Sequence, residues 1–179
     1  MYGLVNQAIE DFVVHKFGHE AWQRVRDASG VCPDMFIAMD SYPDEVTAKL
    51  VETASGQLGM DSEQILRGFG EYWVLYTAQA GYGDMMAMFG SDLSSFLANL
   101  DTLHSHVAMT FPGLRPPSFT VEPLDGGLRL HYRSERAGMA PMVMGLLQGL
   151  ARRFSQNISV EQTAHKGRQD HDVFEVRFV

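Results

Sequence analysis

Two groupings in this chain combine residue types and spacing that could do chemistry: a histidine on the apolar stripe of a helix, and three donors at alternate positions along a strand. Downstream of Ser91, the residues Leu93, Phe96, Leu97, Leu100 and Val107 recur at helical spacing, and His104 falls on the same face. His106 is rotated from it by roughly 200° and faces the other way. An inward imidazole is either a hydrogen-bonded core residue or a metal ligand, and spacing leaves both open. In the second grouping, Tyr132, Ser134 and Arg136 project from one strand face, because residues two apart share a side. They follow Leu128 and Leu130, so an apolar surface ends in a phenol, a hydroxyl and a guanidinium. That suits a flat apolar ligand with anionic groups at one edge, the shape of a haem. A polar strand end leaving the core fits the same residues.

Other candidates are weaker. His15 and His19 have the spacing of a helical metal pair, but Gly18 breaks the helix between them, and His19-Glu20 lacks the second histidine of a zinc-protease helix. There is no phosphate loop, nucleophile elbow or Cys-x-x-Cys, so nucleotide, hydrolase and thiol chemistry lack support and no enzymatic activity is expected. His165 and His171 flank a polar turn and are expected to be exposed, with Asp170-His171-Asp172 at most a surface ion site. Cys32 has no internal disulfide partner and is expected to be a small buried or half-buried residue.

The elements that must position these residues can be read from periodicity. Leu4, Val5, Ile9, Phe12, Val13 and Phe17 predict an N-terminal helix stopped by Gly18, and further helices are predicted near 20–28, 44–58, 61–80 and 91–110, punctuated by Gly30, Gly59, Gly81 and Gly90. After Pro116-Pro117 the period becomes two. Phe119 and Val121, the turn Asp125-Gly126-Gly127, and Leu128, Leu130 and Tyr132 predict a hairpin. Met142 to Phe154 returns to helical spacing, and Ile158-Val160 with Phe174-Val176-Phe178 predicts a second hairpin. The fold class is α+β: a helical part, about 1–115, packed on a C-terminal antiparallel sheet with a helix, about 116–179, within one domain spanning 1–179.

The 179 residues, 45% hydrophobic and 20% charged, suffice for one well-buried domain. A net charge of −8 argues against nucleic acid as a partner. Glu10 and Asp11 interrupt the opening where a secretory signal needs an apolar run, and no window approaches a bilayer span, so a cytoplasmic protein without membrane insertion is expected.

Taken together, these residues resemble the haem-nitric oxide/oxygen-binding family, the H-NOX domains related to the haem domain of soluble guanylate cyclase. Met1-Tyr2-Gly3 matches the family's start, His104 its proximal histidine, Pro116-Pro117 its Pro-Pro segment, and Tyr132, Ser134 and Arg136 its Tyr-x-Ser-x-Arg motif. Phe69-Gly70-Glu71-Tyr72-Trp73 and Gly138 to Met142 look like bacterial or cyanobacterial stand-alone members. The resemblance implies haem b as cofactor, His104 as iron ligand, Tyr132, Ser134 and Arg136 on the propionates, and Pro117 pressing on the macrocycle. Val5, Trp73, Pro141 and Met144 are the expected distal wall. Oxygen-binding members carry a tyrosine nine residues after the motif tyrosine. Here that position is Pro141, so nitric oxide and carbon monoxide are the expected ligands, with the Trp73 indole N–H as a donor that could replace the hydroxyl.

The expected mechanism is a gas sensor in which nitric oxide binding releases the His104 helix, relieves strain at Pro117 and is read by a separate histidine kinase or cyclic-dinucleotide enzyme. The cysteine-rich zinc site that some relatives carry near the C-terminus has no cysteine to match it here. The alternatives are an oxygen-binding haem protein, a haem-free regulatory binding module, and a peroxidase or oxygenase, which would need a distal acid-base pair or thiolate.

Overall fold

The computed structural model describes residues 1–31, 33 and 35–179; the reading of Cys32 lies outside the described residues. Helix α1 (Gly3–Phe17) buries Ile9, Phe12 and Val13 along its apolar stripe and stops at Gly18, whose φ of 87° is open to glycine but strained for other residues. Helices α2 (His19–Ser29), α3 (Asp44–Leu58) and α4 (Ser62–Tyr72) follow. The first turn of α4 is fixed by Gln64, whose side-chain oxygen accepts from the Asp61 N–H at 3.1 Å.

The next stretch departs from the sequence expectation. The helical run continues through a π-helical turn (Trp73–Ala78) into α5 (Gln79–Met88), and Gly81 does not stop it. The backbone breaks at Tyr82 instead (φ −137°, ψ 15°). The predicted helix over 91–110 is two helices, α6 (Leu93–Ala98) and α7 (Leu100–Thr110), divided at Asn99. The Asn99 amide donates to the carbonyls of Phe89 and Ser95, both at 3.0 Å, so a short polar side chain competes with the helical ladder.

Strands β1 (Ser118–Leu124) and β2 (Gly127–Arg133) form the predicted hairpin, and α8 (Ala140–Arg153) leads to β3 (Ile158–Ala164) and β4 (Asp172–Phe178). All pairings are antiparallel, in the order β1-β2-β4-β3. Leu128, Leu130 and Tyr132 point into the protein, and Arg129, His131 and Arg133 lie on the opposite face.

Secondary structure changes character at Pro116-Pro117, but packing changes hands earlier. One apolar core, with Ile9, Phe12, Leu50 and Phe69, belongs to α1–α4. The other begins at Val74 and joins α6, the sheet and α8 through Phe96, Leu130, Leu147 and Phe174. The two meet where α4 crosses α8. There a Cβ on Gly145 would collide with the Arg67 carbonyl, and one on Gly70 with the Met142 carbonyl, so glycine permits the close approach.

Candidate functional site

The two cores do not close completely. Between them lies a cavity of about 340 Å³ whose walls come from α1, the π-helical turn, α5, α7, the 111–119 segment, β2 and α8. On α7, helical spacing turns Leu100, Leu103, His104 and Val107 toward it. His106 is exposed, its ring stacked edge-on to Phe89 at 5.3 Å, as its rotation predicted.

His104 carries the strongest chemical signal. Its Nδ1 is buried without a hydrogen-bond partner. Burial lowers its pKa; the Asp101 carboxylate and the nearby Pro117 carbonyl oppose this without overcoming it, although no acceptor meets Nδ1 with hydrogen-bond geometry. The result is a neutral imidazole in an apolar wall. Asp101 anchors the helix that carries it: one carboxylate oxygen accepts from the Phe119 N–H at 2.7 Å, and the other from the Ser118 hydroxyl at 3.0 Å. Rings then link the helix to the sheet, His104 to Phe119 at 5.6 Å and Phe119 to Tyr132 at 5.3 Å.

Tyr132, Ser134 and Arg136 line the same cavity, as does Pro117. Burial raises the Tyr132 pKa, keeping the phenol protonated and able to donate. The Ser134 hydroxyl accepts from the Arg136 N–H at 3.1 Å. The Arg136 guanidinium is held from behind: Nε donates to Asp44 at 2.8 Å, and Nη1 to the Arg115 carbonyl at 3.1 Å. Asp44 also accepts from the Met1 ammonium at 2.5 Å.

Val5 and Trp73 also line the cavity. Pro141 and Met144 do not, which corrects the expected distal wall. Helix α8 begins at Ala140, and its inward stripe is Met142, Val143, Leu146 and Leu150; Pro141 and Met144 stand nearly opposite on the helical wheel. The glycine contact with α4 fixes that rotation.

Sequence reasoning missed several wall residues. Tyr82 lines the cavity from the break in α5, and burial raises the pKa of its hydroxyl. Tyr2 lies on the wall as well, its hydroxyl donating to the Pro112 carbonyl and its ring edge-on to Phe111 at 4.9 Å. The Met-x-Gly start could have flagged the N-terminus: a Cβ on Gly3 would strike the Ile37 carbonyl, so glycine lets Met1 and Tyr2 thread down to the cavity. His15 packs against Tyr72 and Tyr76 and is separated from His19 by Gly18. His171 is not exposed as expected, its side chain being 17% accessible and paired with His131. Among the described residues, no group of three or more His, Cys, Asp or Glu side chains is placed to hold a metal ion, and no helix is long and apolar enough to cross a membrane.

The arrangement fits a haem. It has apolar walls, an unpaired neutral imidazole within them, and at one rim a buried phenol, a hydroxyl and an arginine suited to paired carboxylates. Residues 2–162 match the family model for haem-NO-binding domains. The chain belongs to this H-NOX family. Among curated proteins it is 28% identical to soluble guanylate cyclase gcy-31 of Caenorhabditis elegans over 99% of the chain and 26% of that protein. It is 31% identical to gcy-33 of the same organism over 99% of the chain and 19% of that protein. The chain thus spans about a fifth to a quarter of these relatives' length. Among solved structures, a variant of an H-NOX protein from S. oneidensis in the Fe(II) state superposes with a TM-score of 0.90 at 21% identity, covering 100% of this chain and 96% of that one. The same protein in the Fe(II)NO state gives 0.88 at 22% identity, covering 100% and 99%. This H-NOX domain is accordingly a haem-binding gas-sensor domain.

Proposed function

We propose that this domain senses nitric oxide and carbon monoxide in preference to dioxygen, with His104 as the protein's only ligand to iron, and that it reports to a separate histidine kinase or cyclic-dinucleotide enzyme in the cytoplasm. The observation that carries this reading is the buried, unpaired and neutral His104 in the wall of a cavity rimmed by Tyr132, Ser134 and Arg136. Bound haem supplies an iron that takes a diatomic gas. Tyr132, Ser134 and Arg136 would donate to its carboxylates, with Asp44 aligning the Arg136 fork, and Pro117 would lie against it. Val5 and Trp73 would belong to the gas-binding wall, and the α8 face of the cavity, with Met142, Val143 and Leu146, carries no hydroxyl. Dioxygen gains more from a hydrogen bond than nitric oxide or carbon monoxide does, so that face favours the other two gases.

The output is a movement of α7. Asp101 pins the helix near its first turn to β1, and His104 is the next attachment along it. With His104 as the residue that would hold the iron, a change in that hold would leave α7 tied at Asp101 alone and able to pivot about it, and a partner that binds one arrangement better would read the change. The domain is a sensor and not a catalyst on this reading.

A second reading, an oxygen-binding protein, is favoured by one observation: Trp73 and Tyr82, residue types that carry a donor, both line the wall. Visible absorption of the ferrous protein, wild type and His104→Gly, under argon, nitric oxide and air decides between them. The expected result is a Soret band that shifts with nitric oxide but not with air and that requires His104 in its unliganded form. A stable oxygen complex would overturn the gas selectivity, and a colourless protein after haem supply would overturn the haem reading.

A further inference from the structure

Away from the cavity, on the outer face of the sheet, two histidines meet. Nδ1 of His131 on β2 lies 2.8 Å from Nε2 of His171, in the turn before β4. Both side chains are largely buried, 15% and 17% accessible, and their ring centroids are 5.1 Å apart. The far nitrogen of each ring faces a carboxylate. Oε1 of Glu122 is 3.3 Å from His131 Nε2, an ion-pair separation without hydrogen-bond alignment, and Oδ2 of Asp170 is 3.1 Å from His171 Nδ1.

Asp170 accepts from the His171 Nδ1–H, which leaves His171 Nε2 as an acceptor, and the His131 Nδ1–H fills the space between the two inner nitrogens. A tautomer shift that moves the His131 proton to Nε2, facing Glu122, frees the second inner lone pair, and a metal ion can then take the place of the bridging hydrogen. Imidazoles on one ion at about 2.0–2.1 Å stand about 3.3 Å apart in the tetrahedral geometry of zinc and about 2.9 Å apart as cis ligands in the tetragonal geometry of Cu²⁺. An opening of a few tenths of an ångström, taken up by the polar turn that carries His171, meets that requirement. The surrounding charges are balanced: Arg129 is engaged by Glu122 and Glu175, Arg177 by Glu175, and Arg133 lies 4.0 Å from Asp170, so these three carboxylates and three arginines leave no free cation facing the imidazoles.

We propose that His131 and His171 form a metal site for a borderline divalent cation, Cu²⁺ held more tightly than Zn²⁺, with water completing the coordination and Glu122 and Asp170 orienting the two rings. The site is independent of the haem reading: His131 lies on the face of β2 opposite Tyr132, and no cavity residue takes part.

The test is calorimetric titration of the purified, tag-free protein with Cu²⁺ and with Zn²⁺, in wild type and in the variants His131→Gln, His171→Gln, Asp170→Asn and His165→Gln. The expected result is one equivalent of either ion bound to wild type. Affinity should fall at least about tenfold in the first two variants, less in Asp170→Asn because that carboxylate is solvated, and not in His165→Gln, an exposed histidine of the same turn. Electron paramagnetic resonance of the Cu²⁺ adduct should show two imidazole nitrogens. Unchanged affinity in His131→Gln or His171→Gln, a one-nitrogen spectrum, or no stoichiometric binding would overturn the proposal and leave the pair joined by a hydrogen bond alone. Circular dichroism confirms that each variant is folded, and Asp170→Asn, which keeps both ligands, tests the orienting role separately.

Discussion

The two apolar cores of this domain are built from similar residues for different ends. The α1–α4 core is closed: Phe12, Phe69, Ile9 and Leu50 are each at most 2% exposed, and the Phe12 and Phe69 rings pack tilted with centroids 6.3 Å apart. The core that starts at Val74 is as well buried on its sheet side, at Leu130, Phe174 and Val176, but opens toward α7 and α8 into the cavity. A well-packed interior has few voids larger than a water molecule. The open core therefore gives up packing to keep a place for a planar group, and the closed core with the α4–α8 crossing supplies the rigidity that holds the hole open. Packing is continuous in one half and interrupted by a gap in the other.

Truncation separates the halves most sharply. Phe69→Ala should cost about 3–5 kcal/mol, because it leaves a hole in a closed core, whereas Leu146→Ala, which removes atoms that already face the cavity, should cost about 1 kcal/mol in haem-free protein. Denaturant unfolding of both variants checks the contrast. Equal losses would mean that the haem-free cavity collapses around Leu146 and that the two cores do not differ as described.

The crossing is the next place to probe. A Gly145→Val side chain meets the Arg67 carbonyl and must push α8 away from α4, with an expected cost of about 3 kcal/mol. Because α8 also contributes Met142, Val143 and Leu146 to the cavity, the Soret band should move with the loss of stability. An unshifted band would mean that the crossing does not set the shape of the gap.

Within the open half, Asp101 ties α7 to β1. Asp101→Asn can keep one of the two bonds but must lose or weaken the other, so about 1 kcal/mol is expected in stability. The more telling readout is the iron–histidine stretch in resonance Raman spectra of the ferrous protein. It should shift if Asp101 positions His104, and stay fixed if Asp101 is only a cap on the strand.

The sequence made different parts of this picture legible for identifiable reasons. His104, Tyr132, Ser134 and Arg136 were placed because period and motif are local, and each needs only its own element to be assigned correctly. Pro141 and Met144 were misplaced because the rotation of α8 is set by glycine contacts with Arg67 and Glu71, more than 70 residues earlier. Tyr82 was missed because Gly81 reads as a stop, whereas packing carries the helix past it and breaks it one residue later. The His131-His171 pair joins residues 40 apart that share no motif. Asp44 is the clearest case: a first-turn acid of α3 by sequence, it acts through Arg136, 92 residues away.

That ion pair is also the smallest effect that bears on the comparison, since it joins α3 of the closed half to the rim of the open one. Burial alone would raise the Asp44 pKa, but the hydrogen bonds from the Met1 ammonium and Arg136 outweigh it and hold the carboxyl below its ordinary 3.8. A carboxylate with a depressed folded pKa adds stability above its unfolded value and loses it as pH falls through the folded one. Asp44→Asn should therefore melt below wild type at neutral pH by about 2 °C, since a pair this exposed is screened by water, and the gap should close below about pH 4. Thermal melts across that range check the sign. A gap that persists in acid would show that Asp44 acts by shape and hydrogen bonding, and that the link between the halves does not depend on charge.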